Sequence, residues 1–109
     1  MTKMKILKSL FLAENDQSNL ERAMKKAGLR RSVLIRQAID DLIALGLPKN
    51  LDEVVPKNPG SKMTSVFVEP EAAAFIETIR DEIPCSINGL LRFALAQKFR
   101  KILEKEIDE

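Results

Sequence analysis

The sequence predicts a mostly helical protein with one short two-stranded antiparallel ribbon, arranged as strand-helix-helix, linker, strand-helix-helix. Three observations predict it. Helical apolar stripes dominate the chain, and two β-prone segments, residues 5–12 and 63–68, each precede a pair of such stripes. The second half also repeats the first at a fixed offset. Ser65, Phe67, Glu77, Leu90, Arg92 and Ala94 stand 56 residues after Ser9, Phe11, Glu21, Leu34, Arg36 and Ala38.

Residues 1–47 make the first unit. Its strand, residues 5–12, is followed by the polar run Glu14-Asn15-Asp16-Gln17-Ser18. Asn15, Asp16 or Ser18 offers an oxygen that caps the free N–H groups of the next helix. Leu20, Ala23, Met24 and Ala27 recur at helical spacing, and Gly28 suits the left-handed residue that ends a helix. Ser32 is the expected cap of the second helix. Leu34, Ile35, Ala38, Ile39, Leu42 and Ile43 form its stripe, and Gly46 and Pro48 end it.

Residues 48–62 read as a linker, because they hold Pro48, Pro56, Pro59 and Gly60. Within it, Leu51-Asp52-Glu53-Val54-Val55 is expected to pack as a short turn. Residues 63–109 make the second unit. Its strand is Met63-Thr64-Ser65-Val66-Phe67-Val68, and Pro70 suits a first helical turn. Ala73, Ile76, Ile79 and Ile83 give the helix an apolar face that Pro84 interrupts. Asn88 is the expected cap of a last helix with Leu90, Leu91, Ala94, Leu95, Phe99, Ile102 and, at the margin, Leu103 inward. Residues 104–109 are a charged tail.

The repeat extends to the apolar pattern. Leu10, Leu12, Leu20, Ala23, Ala27, Ile35 and Ile39 align with Val66, Val68, Ile76, Ile79, Ile83, Leu91 and Leu95. The breakers Gly28 and Pro84 align, as do Ser32 and Asn88. One strand and two helices are too few to bury a sufficient core, and a lone strand exposes unpaired backbone groups. Pairing the two strands antiparallel and packing four helices around them answers both needs. The chain then acts as its own dimer, in one compact domain.

Composition narrows the function. With 45% hydrophobic and 31% charged residues the chain reads as a soluble globule. No apolar run approaches the ~20 residues of a membrane span, so no membrane partner is expected. The apolar run Leu10-Phe11-Leu12-Ala13 meets Glu14 and Asp16 at once, which argues against a signal peptide. A single cysteine, Cys85, has no internal disulfide partner and suits a cytoplasmic location. The absence of histidine removes imidazole acid-base chemistry and His-based metal sites. The four scattered glycines form no phosphate-cradling loop. A non-enzymatic protein without cofactor or metal is therefore expected. Residues 1–62 carry 12 Lys+Arg against 7 Asp+Glu, whereas residues 63–109 carry 6 against 9. The first part can present a positive face although the net charge is only +2; a solvated Lys/Glu surface is the other reading of the same charges.

The run Gly28-Leu29-Arg30-Arg31-Ser32-Val33-Leu34-Ile35-Arg36-Gln37-Ala38-Ile39, with its echo Asn88-Gly89-Leu90-Leu91-Arg92-Phe93-Ala94-Leu95, resembles the ribbon-helix-helix superfamily of the Arc/MetJ type. The resemblance covers nearly the whole chain outside the linker and implies a tandem single-chain pseudodimer. It implies double-stranded DNA as partner, with the ribbon in the major groove. In the family register Lys8, Leu10 and Leu12 face inward, while Leu7, Ser9, Phe11, Met63, Ser65 and Phe67 face the bases. Strand phenylalanines are usually core residues, so a buried Phe11 and Phe67 is the competing reading. A phase shifted by one makes Lys8 and Thr64 the readers instead. Phosphate contacts are expected at the second-helix N-termini, from Ser32, Val33, Asn88 and Gly89, with Arg30, Arg31 and a basic arm at Lys3 and Lys5. Lys25 and Lys26 end the preceding helix. Arg36 and Arg92 are expected to form ion pairs on the helix surface, and Cys85 to be a small turn residue.

Two departures from the family pattern bear on the second unit. Pro84-Cys85-Ser86-Ile87 replaces the Gly-Leu-polar-polar turn, and Asp81 and Glu82 stand where the first unit has Lys25 and Lys26. A weaker phosphate grip follows, with either an asymmetric DNA site or a second unit that is partly structural. The implied role is a sequence-specific transcriptional regulator, a repressor of viral or plasmid type, with further self-association on DNA or a dimer of chains still open. The alternatives are a plasmid-transfer accessory DNA-binding protein and a protein-interaction module, either antitoxin-like or an assembly adaptor.

Overall fold

Seven elements follow one another in the computed structural model: β1 (Ile6–Leu12), α1 (Glu14–Ala27), α2 (Arg31–Leu45), α3 (Leu51–Val54), β2 (Lys62–Val68), α4 (Pro70–Ile79) and α5 (Ile87–Glu104). The structure describes residues 6–56, 60–83 and 86–104. The protein is mostly helical, with one two-stranded antiparallel sheet.

The register runs from Ile6 opposite Val68 to Leu12 opposite Lys62, with Ser9 opposite Ser65 at its midpoint. Alternation decides which way each strand faces. Leu10, Leu12, Val66 and Val68 are buried and pack on the helices, together with the small polar Thr64. Above them lie Leu34, Ile35, Ala38 and Ile39 of α2 and Leu90, Leu91, Ala94 and Leu95 of α5. Helix α1 packs mainly on α5, and α4 on α2, so each half of the chain covers the other. This interlocking is why neither half holds a complete core of its own.

Helix starts differ from the sequence expectation. Helix α1 begins before Asp16, with Ala13 as its cap residue, and Asn15 and Ser18 lie inside the helix. Asp16 works from within the first turn, where its Oδ2 accepts the Ala13 N–H at 3.0 Å. Gly28 ends α1 in the left-handed region at φ 67, with its N–H donating to Met24 O at 2.9 Å. The backbone is extended at Arg30, φ −75 and ψ 156, so α2 starts at once and Ser32 falls inside its first turn rather than capping it. In the second half Asn88 is likewise inside the helix. Ser86 is the capping side chain there, its Oγ accepting the Gly89 N–H at 3.0 Å. Arg30 and Ser86 are 56 residues apart, so both helices begin at equivalent positions, two residues earlier than the caps expected from sequence.

The linker is part of the packing. Leu51 of α3 and Val55 are buried in the main core. Gly60 sits against the end of β1, where a Cβ would run into the Phe11 carbonyl oxygen. Ser61 N–H then donates to Leu12 O at 3.1 Å and leads the chain into β2. Helix α4 stops at Ile79, so Ile83 lies beyond it, half-buried against the core. Pro84 and Cys85 lie outside the described residues. Among the described residues no helix is long and apolar enough to cross a membrane.

Candidate nucleic-acid interface

The outer face of the ribbon carries six exposed side chains in three cross-strand pairs. Leu7 lies opposite Phe67, Ser9 opposite Ser65, and Phe11 opposite Met63. Exposure reaches 54% at Leu7, 44% at Phe11, 63% at Met63 and 52% at Phe67. Both phenylalanines are therefore surface residues, although strand phenylalanines are usually core. The reason is steric: Leu10, Leu12, Val66 and Val68 already occupy the face beneath the helices, and alternation sends Phe11 and Phe67 the other way. The shifted phase, with Lys8 and Thr64 outward, does not occur. Thr64 is 6% exposed. Lys8 is half-buried, and its Nζ meets Glu77 Oε1 at 3.3 Å.

Each edge of the ribbon is flanked by the start of a long helix. On the β1 edge, Asn88 in the first turn of α5 uses both ends of its amide. Phe11 N–H donates to Asn88 Oδ1 at 2.7 Å, and Asn88 Nδ2 donates to Phe11 O at 2.9 Å. That pair imitates a third strand and satisfies an edge that would otherwise be open. On the β2 edge, Arg36 in the second turn of α2 donates to Phe67 O at 3.4 Å. Phe11 and Phe67 are repeat-equivalent positions, so the two contacts mark corresponding points on opposite strands.

The two helix starts are chemically unlike. At α2 the cap residue is Arg30, and no side chain caps the first turn among the described residues. Arg30 and Arg31 are exposed there, with Ser32 and Val33 half-buried behind them. The free N–H groups and the helix dipole make this end receptive to an anion. At α5 one backbone donor is already taken and a side chain is engaged with the neighbouring strand. The Asn88 amide holds Phe11, and the Gly89 N–H holds Ser86 Oγ. Val55 of the linker lies over Gly89, where a Cβ would come within 2.6 Å of Val55 Cγ1. Asn88 and Gly89, expected to match Ser32 and Val33 as phosphate ligands, already have partners within the protein, the Asn88 side chain on Phe11 and the Gly89 N–H on Ser86 Oγ. Lys3 and Lys5 lie outside the described residues.

No family model, curated protein or solved structure matches the chain. The functional reading therefore rests on the site's own geometry.

Arg92 corrects a further expectation. It is 3% exposed rather than on the helix surface, and its Nε meets Asp16 Oδ2 at 2.7 Å. The same carboxylate oxygen caps α1, so one atom ties the start of α1 to α5. The position equivalent to Asp16 is Ala72, also buried, which explains why Arg36 turns to a backbone carbonyl instead. Sequence reasoning missed the Asp16–Arg92 pair. The available signal was the mismatch in the repeat, an acid against an alanine with both arginines kept. The role of Asn88 had no such signal, because a cap and an edge clamp use the same residue type.

Proposed function

We propose that this chain is a sequence-specific double-stranded DNA-binding protein of tandem ribbon-helix-helix type, a single-chain pseudodimer acting as a transcriptional regulator. One observation carries the reading: an exposed two-stranded ribbon flanked on both edges by the starts of long helices. An antiparallel ribbon fits the major groove, and helix starts beside it can meet the phosphates on either side. The pairing of Ser9 with its repeat equivalent Ser65 supports the pseudodimer, because it puts an approximate twofold axis through the ribbon's centre. Leu7, Ser9, Phe11, Met63, Ser65 and Phe67 then meet the bases. Arg30, Arg31, Ser32 and Val33 meet phosphate, and the basic residues of the first half supply the long-range attraction.

The test is fluorescence anisotropy with duplexes from around the protein's own gene and a scrambled control, across a salt series. The expected outcome is preference for one native duplex, with affinity falling steeply as salt rises. Replacing Arg30 and Arg31 together by Gln is expected to weaken binding to all duplexes alike. It should also flatten the log–log salt slope by about two, since each phosphate contact contributes roughly 0.9. Absence of binding at low salt removes the DNA reading. The second reading, a protein-interaction module, is favoured by the exposed apolar groups on the ribbon, and it then takes first place.

A further inference from the structure

We infer that the ribbon recognises thymine methyl groups in two zones roughly four base pairs apart, on either side of a central step facing Ser9 and Ser65; the inference rests on the DNA-binding reading above. The outward face holds two hydroxyls and four apolar side chains, with no amide, guanidinium or carboxylate among the six. Guanine, cytosine and adenine are read in the major groove through polar edges that need hydrogen-bond partners. Laid against Leu7, Phe67, Phe11 or Met63, those edges lose water and gain no hydrogen bond in return, which is unfavourable. The thymine C5-methyl is the apolar feature of the major groove, and burying it against Leu, Phe or Met is favourable.

Register supplies the spacing. The Leu7–Phe67 and Phe11–Met63 pairs are four residues apart along β1. At roughly 3.4 Å per residue that separates the two apolar zones by about 14 Å, close to four base-pair steps at about 3.4 Å each. The serine pair sits midway, where hydroxyls that both donate and accept can meet either kind of base edge.

The layout of the face favours DNA over a protein partner. Protein interfaces are most apolar at the centre and polar at the rim. Here the order is reversed, with the serine pair central and the apolar pairs outside it. The charge beside the face is also complementary to DNA, since Arg30 and Arg31 are exposed at the start of the helix that contacts β2, and Lys62 is exposed at the ribbon's end.

The experiment uses the full chain and a duplex that the wild-type protein has enriched from a random-sequence pool. Affinity is measured for that duplex and for the same sequence with deoxyuridine at every thymine, which removes the methyls and keeps every Watson–Crick group. Each buried methyl lost should weaken binding about fourfold, corresponding to ~0.8 kcal/mol. The thymine duplex should therefore bind about tenfold or more tightly when both zones are used. The Phe67→Ser variant should bind the two duplexes with a smaller ratio. Equal affinity for thymine and uracil duplexes overturns the methyl inference and leaves the DNA reading standing. Failure to enrich any duplex overturns both. Sedimentation of the free chain adds a third arm: a dimer that Phe67→Ser dissociates would assign the face to a second copy and overturn the inference.

Discussion

The two halves of the chain begin their long second helices at equivalent positions, Arg30 and Ser86, and finish those helix starts in opposite ways. In the first half the start of α2 has no side-chain cap among the described residues and carries two exposed arginines. In the second half Ser86 caps, Asn88 clamps the neighbouring strand, and Val55 lies over Gly89. One helix start leaves its positive charge exposed. The other is capped locally by Ser86 and holds β1 through the Asn88 side chain. Equivalent positions in a repeated sequence need not meet the same partners, because packing decides what lies beside each of them.

That contrast can be broken most sharply at the buried ion pair. Asp16→Ala takes from Arg92, 3% exposed, its carboxylate partner, and is expected to lower stability in urea unfolding by about 3–5 kcal/mol. Arg36 holds the corresponding place in the first half but only meets a carbonyl at 3.4 Å, so Arg36→Met should cost less than about 1 kcal/mol. Equal losses would mean that the two halves share the structural load evenly. A smaller effect is expected at the edge clamp. Asn88→Ala removes two hydrogen bonds to Phe11 and should cost about 1–2 kcal/mol. Ser32→Ala, at the equivalent position, should stay within about 0.5 kcal/mol. A costly Ser32→Ala would show a second clamp on the β2 edge.

The smallest stability effect comes from exchanging the caps. Ser86→Ala should lose about 1 kcal/mol, while Arg30→Ser should gain up to about the same amount by adding a cap where there is none. The gain should come with weaker DNA binding, read by anisotropy on the same duplexes, since a cap occupies the donors and the substitution removes a charge. Stabilisation without loss of affinity would separate the start of α2 from the binding surface.

Much of the fold could be read from patterns along the chain. The β-prone runs ahead of each helix pair identified the strands, but Leu10-Phe11-Leu12 and Val66-Phe67-Val68 are apolar throughout, so which face meets the helices was decided only by packing. The 56-residue repeat aligned Ser9 with Ser65, which the register then placed opposite each other. Helix starts were harder. Ser32 and Asn88 have the right chemistry for caps, but the left-handed turn at Gly28 and the Ser86 hydroxyl start the helices two residues sooner. Within the linker the segment Leu51 to Val55 was expected to pack as a short turn, but that Leu51 and Val55 enter the main core depends on apolar partners distant in sequence. Arg92 looked like a surface cation because arginine is mostly exposed; burial became favourable only with Asp16 brought from 76 residues away.

What the sequence alone determined is therefore whatever depends on a residue and its near neighbours: the number and type of the long elements, the period of their apolar faces, and the repeat that relates them. Local sterics and hydrophobic periodicity act over a few residues and leave their mark in order along the chain. What only the tertiary structure decided is how each polar group is used. A serine, asparagine or arginine satisfies its hydrogen bonds with whichever partner packing brings near. Packing brought Asp16 to Arg92, Phe11 to Asn88 and Val55 over Gly89, while it left Arg30 and Arg31 facing solvent.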